Sequence, residues 1–256
     1  MIEIMTQITK EAGKIIMEIY NSDSSFGIQE KGDGSPVTKA DLAANKYIVE
    51  SLEKEFPDIP IISEEIKAKD YETRKSWDKF FLVDPIDGTK EFIKRNGEFT
   101  VNIAYCESDG PKIGVIDVPA FKETYWGSLD GAFVERGKKI YSLPQRTMSK
   151  HKFRVAASRS HMTDKTKAVI KVLEEKFGKI EILQYGSSLK MCKVAEGEVD
   201  YYPRLGPTYE WDTAAAHAIL RAAGGEITIA GTDDPLKYNK EDLLNPHFEA
   251  KRKDIL

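Results

Sequence analysis

The sequence predicts an α/β protein in two parts, an α+β half over residues 1–140 and an α/β half over residues 141–256. Two observations carry that expectation. Between residues 99 and 135, short segments that alternate apolar with smaller or polar residues follow one another through brief connections, as antiparallel strands do. Between residues 153 and 230, short apolar runs alternate with helical stretches, the pattern of a mostly parallel or mixed sheet. A chain of 256 residues with 41% hydrophobic content can fill one large core or two closely packed ones.

Ile4, Ile8, Ala12, Ile15 and Ile19 recur at helical spacing and predict an amphipathic helix near residues 3–20. Its polar face mixes acids with bases, which favours a core-facing role over a membrane-surface one. Lys31 to Pro36 is a loop by composition. A second helix carries Ala44, Ile48 and Leu52, with Asp41 in its first turn, where an aspartate ordinarily caps the helix or complements its dipole. Pro60 to Ile62 is a short strand leading into Ser63-Glu64-Glu65, and such a glutamate pair ordinarily opens a solvated helix. Phe80 to Leu82 read as the end of a strand. Pro85 cannot donate to a ladder, so this strand is expected to stop there.

Phe99 to Tyr105 and Lys112 to Val118 are strands, and Thr124–Gly127 pairs with Ala132–Glu135 across an Asp-Gly turn. The first two helices are expected to back this sheet. Tyr141 to Lys152 is a polar connection. A strand at 153–157, a helix at 164–177 stopped by Gly178, a strand at 180–183, a helix through Ala195 and a strand at 199–202 follow. An Ala-rich helix opens at Trp211-Asp212-Thr213 and ends at Gly224-Gly225, and residues 226–230 form the last clear strand. In such sheets ligands collect at the strand ends that lead into helices.

Composition excludes several classes of function. The net charge of −4, with both signs mixed among 31% charged residues, argues against a nucleic-acid polymer as partner. Two cysteines give neither a disulfide framework nor a zinc pattern. No apolar run approaches the roughly 20 residues of a transmembrane helix, and the N-terminus lacks the make-up of a signal peptide. A reducing cytoplasm is the expected location.

The chemistry gathers at Asp84-Pro85-Ile86-Asp87-Gly88-Thr89. Two carboxylates three residues apart, at the end of a buried strand, suit a hard divalent cation that keeps positions for water and phosphate. Gly88 gives the corner its backbone freedom. The N–H groups at the start of a short helix over Thr89–Phe92 then suit a phosphate. The ordinary alternative is a plain turn, since most Asp-Gly pairs are turns.

As a whole hexapeptide, however, Asp84 to Thr89 resembles the signature of the lithium-sensitive, Mg²⁺-dependent phosphatases, the family of inositol monophosphatase, fructose bisphosphatase and the bisphosphate nucleotidases. Trp211-Asp212-Thr213-Ala214-Ala215 resembles that family's second signature. The resemblance implies a layered αβαβα sandwich of the sugar-phosphatase type. It implies Mg²⁺ (two or three ions) held by Glu64, Asp84, the Ile86 carbonyl, Asp87 and Asp212. Asp41, Glu64 and Thr89 become the catalytic set that orients and deprotonates a water, with Glu65 supporting the water network. Gly88 and Thr89 hold phosphate oxygens, no protein nucleophile is needed, and Li⁺ inhibits at a Mg²⁺ position.

Three further stretches resemble the bacterial 3′(2′),5′-bisphosphate nucleotidases within that family: Ala157 to His161, Gly186 to Lys190, and Tyr202 to Thr208 running into Glu210-Trp211-Asp212-Thr213. Leu244-Asn245-Pro246 resembles them too. The implied substrate is a small bisphosphate nucleotide, adenosine 3′,5′-bisphosphate, cleaved to AMP and phosphate, with its sulfated precursor a further substrate. Asp87, Gly88, Thr89, His161, Ser187, Lys190, Arg204 and Asp212 are the implied binding residues. Lys190 and Arg204 suit a phosphate remote from the reaction. His161 and Arg159 have ordinary readings as a structural histidine and a surface charge. Two positions depart from the pattern: Ala216 stands where relatives usually have glycine, and Tyr209 where a methionine is expected. The alternatives are an inositol monophosphatase or fructose 1,6-bisphosphatase, and, of another class, a non-catalytic nucleotide sensor. No stretch identifies an interface between copies.

Overall fold

In the computed structural model of the protein, residues 1–22, 25–32, 34–145, 152–158 and 164–253 are described. His161, an expected nucleotide contact, and Arg159, read as a surface charge, lie outside them. In chain order the elements are α1 (Ile2–Tyr20), β1 (Gln29–Glu30), β2 (Pro36–Val37), α2 (Lys39–Glu55), β3 (Ile61–Ser63), α3 (Tyr71–Arg74), β4 (Lys79–Asp87), α4 (Thr89–Ile93), β5 (Thr100–Glu107), β6 (Gly110–Val118) and β7 (Glu123–Ser128). Then come β8 (Gly131–Arg136), β9 (Lys139–Leu143), β10 (Phe153–Ser158), α5 (Asp164–Phe177), β11 (Ile180–Tyr185), α6 (Leu189–Glu196), β12 (Tyr201–Arg204), α7 (Glu210–Ala222), β13 (Gly225–Ile229) and β14 (Phe248–Arg252).

Strands β3 to β9 form one sheet in sequence order, antiparallel except for the parallel pair β3–β4. Alternation along each strand gives it two apolar faces. On one face, Phe81, Val83 and Ile103 meet Met5, Ile8 and Ile48 of α1 and α2. On the other, Phe80, Leu82 and Ala104 meet Ala214, Ala215 and Ile219 of α7 together with α6. A second sheet, ordered β11-β10-β12-β14-β13, lies beyond those two helices and contributes Ile227, Phe248 and Ala250 to the same core. It is mixed: β10 runs parallel to β11 and β12, while β14 is antiparallel to β12 and β13. Ile170 and Leu173 of α5 cover its outer face through Phe153, Val155 and Tyr201. The layers are therefore α, β, α, β, α, as the resemblance implied.

Helix α7 presses directly on the first sheet because both partners lack bulk. A Cβ on Gly114 of β6 would fall 2.1 Å from the Ala215 carbonyl oxygen, and one on Gly127 of β7 2.6 Å from Ile219 Cα. Ala216 is buried in the core between the sheets.

Four expectations need correction. Strand β4 does not stop at Pro85 but continues to Asp87. Asp84 pairs with Asn102 and Asp87 with Thr100, so three steps on β4 match two on β5, and Pro85 sits in the resulting bulge, where no ladder donor is required. Residues 139–143, assigned in part to a connection, form the edge strand β9, which is mostly exposed and so carries little apolar pattern. Strand β14 was not expected after residue 230. Its Glu249 and Arg252 are buried, so its sequence reads as polar although its position is central. Short elements β1, β2 and α3 likewise gave no periodic signal.

Candidate active site

The β4 bulge sets two carboxylates at the mouth of the layer between the sheets, and the first turn of α7 brings a third. Oxygens of Asp84, Asp87 and Asp212 lie within 4.8 Å of one another. Asp84 is 1% exposed, and its Oδ1 is buried with no hydrogen-bond partner. Burial raises the pKa of all three above the usual carboxylate range. Repulsion adds to this, chiefly from Glu64 at Asp84 and from Asp87 at Asp212. Asp87 is partly relieved by hydrogen bonds from Ser187 and Ser188 and by Lys190. An orphaned buried carboxylate oxygen inside an all-oxygen cluster fits a hard divalent cation better than it fits a dry core.

Glu64 lies outside that trio but in the wall of the same cleft, at the end of β3, where its N–H donates to the Val83 carbonyl at 3.1 Å. Its carboxylate accepts from Lys31 Nζ at 2.8 Å, and Lys31 also donates to Glu65 at 2.6 Å. Lys31, in the segment between β1 and β2, was read only as part of a loop. It is the cation that these two adjacent acids share.

Asp41 takes the capping place its position suggests and also reaches Thr89. Its Oδ2 caps α2, accepting from the Thr38 N–H at 2.8 Å and the Thr38 hydroxyl at 2.5 Å. Its Oδ1 accepts from the Thr89 hydroxyl at 3.2 Å, which also lies 3.4 Å from the Ile86 carbonyl. Burial raises the Asp41 carboxyl as well. Gly88, at φ 91°, turns the chain from β4 into α4. A Cβ there would sit 3.3 Å from both the Glu98 carbonyl oxygen and Ser187 Cβ.

The β11–α6 connection closes on Asp87. Ser187 has a left-handed backbone, φ 53°, and its hydroxyl donates to Asp87 Oδ2 at 2.6 Å; the Ser188 N–H donates to the same oxygen at 2.6 Å. Both serine hydroxyls lie 2.7 Å from the Thr100 hydroxyl, and Ser188 and Thr100 also donate to Asn102 Oδ1. Thr100, Asn102 and Ser188 escaped the sequence reading. The signal was there: Thr100 and Asn102 are polar residues two apart on one face of an otherwise apolar strand, hence buried and in need of partners.

Two cations complete the cleft, which encloses about 310 Å³. Lys190 is 5% exposed; its ammonium donates to the Tyr185 carbonyl at 3.2 Å and lies 5.6 Å from the centre of the Tyr202 ring. Burial lowers it to about 8, against the pull of Asp87. Arg204 donates through Nη2 to the Pro207 carbonyl at 3.0 Å, while its Nε is buried without a partner. Acidic cluster and basic pair face one cavity, a division suited to holding metal at one end and an anion at the other.

Comparison with known proteins agrees with this geometry. The model of the inositol monophosphatase family matches residues 1–254. The chain is 42% identical over 254 residues to the 3′(2′),5′-bisphosphate nucleotidase CysQ of Salmonella typhimurium, covering 98% of this chain and 99% of that one. It is 40% identical to the nucleotidase of the same name from Escherichia coli K12, at the same coverage. The crystal structure of CysQ from Bacteroides thetaiotaomicron superimposes with a TM-score of 0.89 at 44% identity, covering 98% of this chain and 96% of that one.

Proposed function

Because the chain belongs to the inositol monophosphatase family, we propose that it hydrolyses the 3′-phosphate of adenosine 3′,5′-bisphosphate to give AMP and phosphate, and removes the same phosphate from the nucleotide's 5′-phosphosulfate analogue. The observation that carries this reading is the pairing, across one cleft, of a cluster of three carboxylates with the buried donors of Lys190 and Arg204. The near full-length likeness to chains named bisphosphate nucleotidases supports it.

Mg²⁺ dependence is general in this family, and the residues fit it. In this reading Asp84, Asp87, Asp212, Glu64 and the Ile86 carbonyl hold two or three Mg²⁺ ions. When bound, Mg²⁺ neutralises the cluster and acidifies water. The chain's own groups do the rest. Asp41 orients Thr89, and Thr89 with Glu64 aligns the attacking water and draws off its proton. As the water oxygen bonds to phosphorus, the bond from phosphorus to the 3′ oxygen breaks, and that oxygen takes up a proton to become the ribose hydroxyl. Backbone N–H groups of Gly88 and Thr89 hold the equatorial oxygens. Ser187 and His161 contact the nucleotide, and Lys190 and Arg204 hold the remote 5′-phosphate. Residues 1–140 thus supply the metal and water groups, apart from Asp212, and residues 141–256 supply the substrate loops.

We place the reaction in the cytoplasm, in keeping with two free, buried thiols, Cys106 and Cys192. Among the described residues no helix is long and apolar enough to cross a membrane. Incubating the protein with Mg²⁺ and adenosine 3′,5′-bisphosphate and identifying the mononucleotide formed tests the reading. The 5′-monophosphate is the expected product. The 3′-monophosphate would reverse the assignment of the two phosphates, and tight binding without turnover would leave a sensor.

A further inference from the structure

Tyr209 stands just before α7, in the wall of the cleft, where the family resemblance leads one to expect a methionine. Its ring lies on that of Trp211, with centroids 4.9 Å apart and planes 14° from parallel. Trp211 is partly buried and packs against the core between the sheets, so the stack has a fixed base. Tyr209 nevertheless remains 36% exposed. One ring face is covered by Trp211, and Tyr209 is among the residues that line the cleft.

The backbone beneath this ring is held firmly. The Tyr209 N–H donates to Asp212 Oδ2 at 2.8 Å, its carbonyl accepts from Asn245 Nδ2 at 2.7 Å, and Tyr209 bridges to Leu244. Asn245 is buried and extends the same clamp to the hydroxyls of Thr208 and Thr213. These contacts use backbone atoms of Tyr209, so none of them explains why an aromatic side chain is present. A flat ligand settling on a surface already ordered loses little further freedom. Arg204 lines the same cleft with a buried, unpartnered Nε. A π surface and a free cationic donor in one cleft suit a planar heterocycle carrying a phosphorylated sugar, and a base stacked on an aromatic side chain gains substantially whichever base it is.

We propose that Tyr209, seated on Trp211, is the platform on which the base of the substrate nucleotide stacks, and that it sets the preference for a nucleoside bisphosphate over a base-free sugar bisphosphate. This rests on the reading of the chain as a bisphosphate nucleotidase.

The test compares adenosine 3′,5′-bisphosphate with 1,4-anhydroribitol 3,5-bisphosphate, the same phosphorylated sugar without its base, using wild type, Tyr209→Phe, Tyr209→Leu and Tyr209→Ala. The ratio of kcat/KM for the two substrates is the readout. It is expected to fall about tenfold or more in the leucine and alanine variants, mainly through KM on the nucleotide, and to stay near wild type in the phenylalanine variant. The leucine variant keeps an apolar cover on Trp211, so the test survives if the alanine variant does not fold. Equal losses on both substrates, or an unchanged ratio, would overturn the role of Tyr209 while leaving the nucleotidase reading intact. A wild-type enzyme that ignores the nucleotide would end both.

Discussion

Asp87 is asked to serve two partners with its two oxygens. Oδ2 is taken by the Ser187 hydroxyl and the Ser188 N–H, which leaves Oδ1 for a cation. Asparagine at this position puts a donor into an acceptor-only site. Asp87→Asn is therefore expected to reduce turnover of every phosphate ester to below about one-hundredth of wild type. Lys190→Ala is expected to act differently, lowering kcat/KM for the bisphosphate nucleotide by roughly ten- to a hundredfold and that for a simple phosphomonoester much less. Equal losses on the two substrates would detach Lys190 from the remote phosphate. At this scale much was legible. Asp84, Asp87 and Asp212 announce themselves through their motifs, and the structure brings them together. The pairing of Glu64 with Lys31 was not legible, because a lysine in a Gly- and Ser-rich loop has no periodicity to say which way it turns. Thr100 and Asn102 could be read as buried polar residues in need of partners, but not which partners, since those lie more than eighty residues away along the chain.

Strand β5 and the β11–α6 connection are locked by those hydroxyls, and the lock reaches Asp87 through Ser187 and Ser188. Thr100→Val keeps the volume and removes the hydroxyl, leaving Asn102 and two serines short of a partner. Turnover of all substrates is expected to fall about tenfold with Thr100→Val and to recover with Thr100→Ser, measured as kcat at saturating Mg²⁺. A valine variant with wild-type kcat would reduce the network to packing. Helix α7 depends on a different feature, the absence of side chains beneath it. Gly114→Ala places a methyl group against the Ala215 carbonyl and is expected to destabilise the fold by about 1–3 kcal/mol, read from the denaturant midpoint. Elements with a clean period, such as α1, α5, β5 and β6, could be read from the chain. Those shaped by tertiary contact could not: β14 buries charged residues that find partners, as Glu249 does with the Tyr201 hydroxyl, and β4 passes through a proline because a bulge removes the need for its donor.

In the proposed reading the acidic cluster joins metal binding to folding across the whole molecule, because its three aspartates come from β4 of one sheet and from the helix between the sheets. Each of these carboxyls has its pKa raised in the folded chain. At these three groups the metal-free fold binds more protons than the unfolded chain, and their contribution to stability is lost as pH rises through the folded-state values. Metal ligands must be deprotonated, so Mg²⁺ stabilises most where the free cluster is most strained. The rise in Tm on adding Mg²⁺ to chelator-treated protein is expected to be larger at pH 8 than at pH 5.5; at a hundred times Kd it corresponds to about 2.7 kcal/mol. Asp84→Asn should melt higher than wild type in chelator and gain little from Mg²⁺. An increment that shrinks with rising pH would contradict a metal-binding role for the cluster.

The most direct measurement is phosphate release in Mg²⁺ from adenosine 3′,5′-bisphosphate, inositol 1-phosphate and fructose 1,6-bisphosphate, side by side, with chelator and Li⁺ controls. Strong preference for the nucleotide, abolished by chelator and suppressed by Li⁺, is the expected result. Preference for inositol or sugar phosphate would leave the acidic cluster in place and contradict the assignment of Ser187, Lys190 and Arg204 to a nucleotide. Undiminished turnover in chelator would contradict the metal chemistry itself.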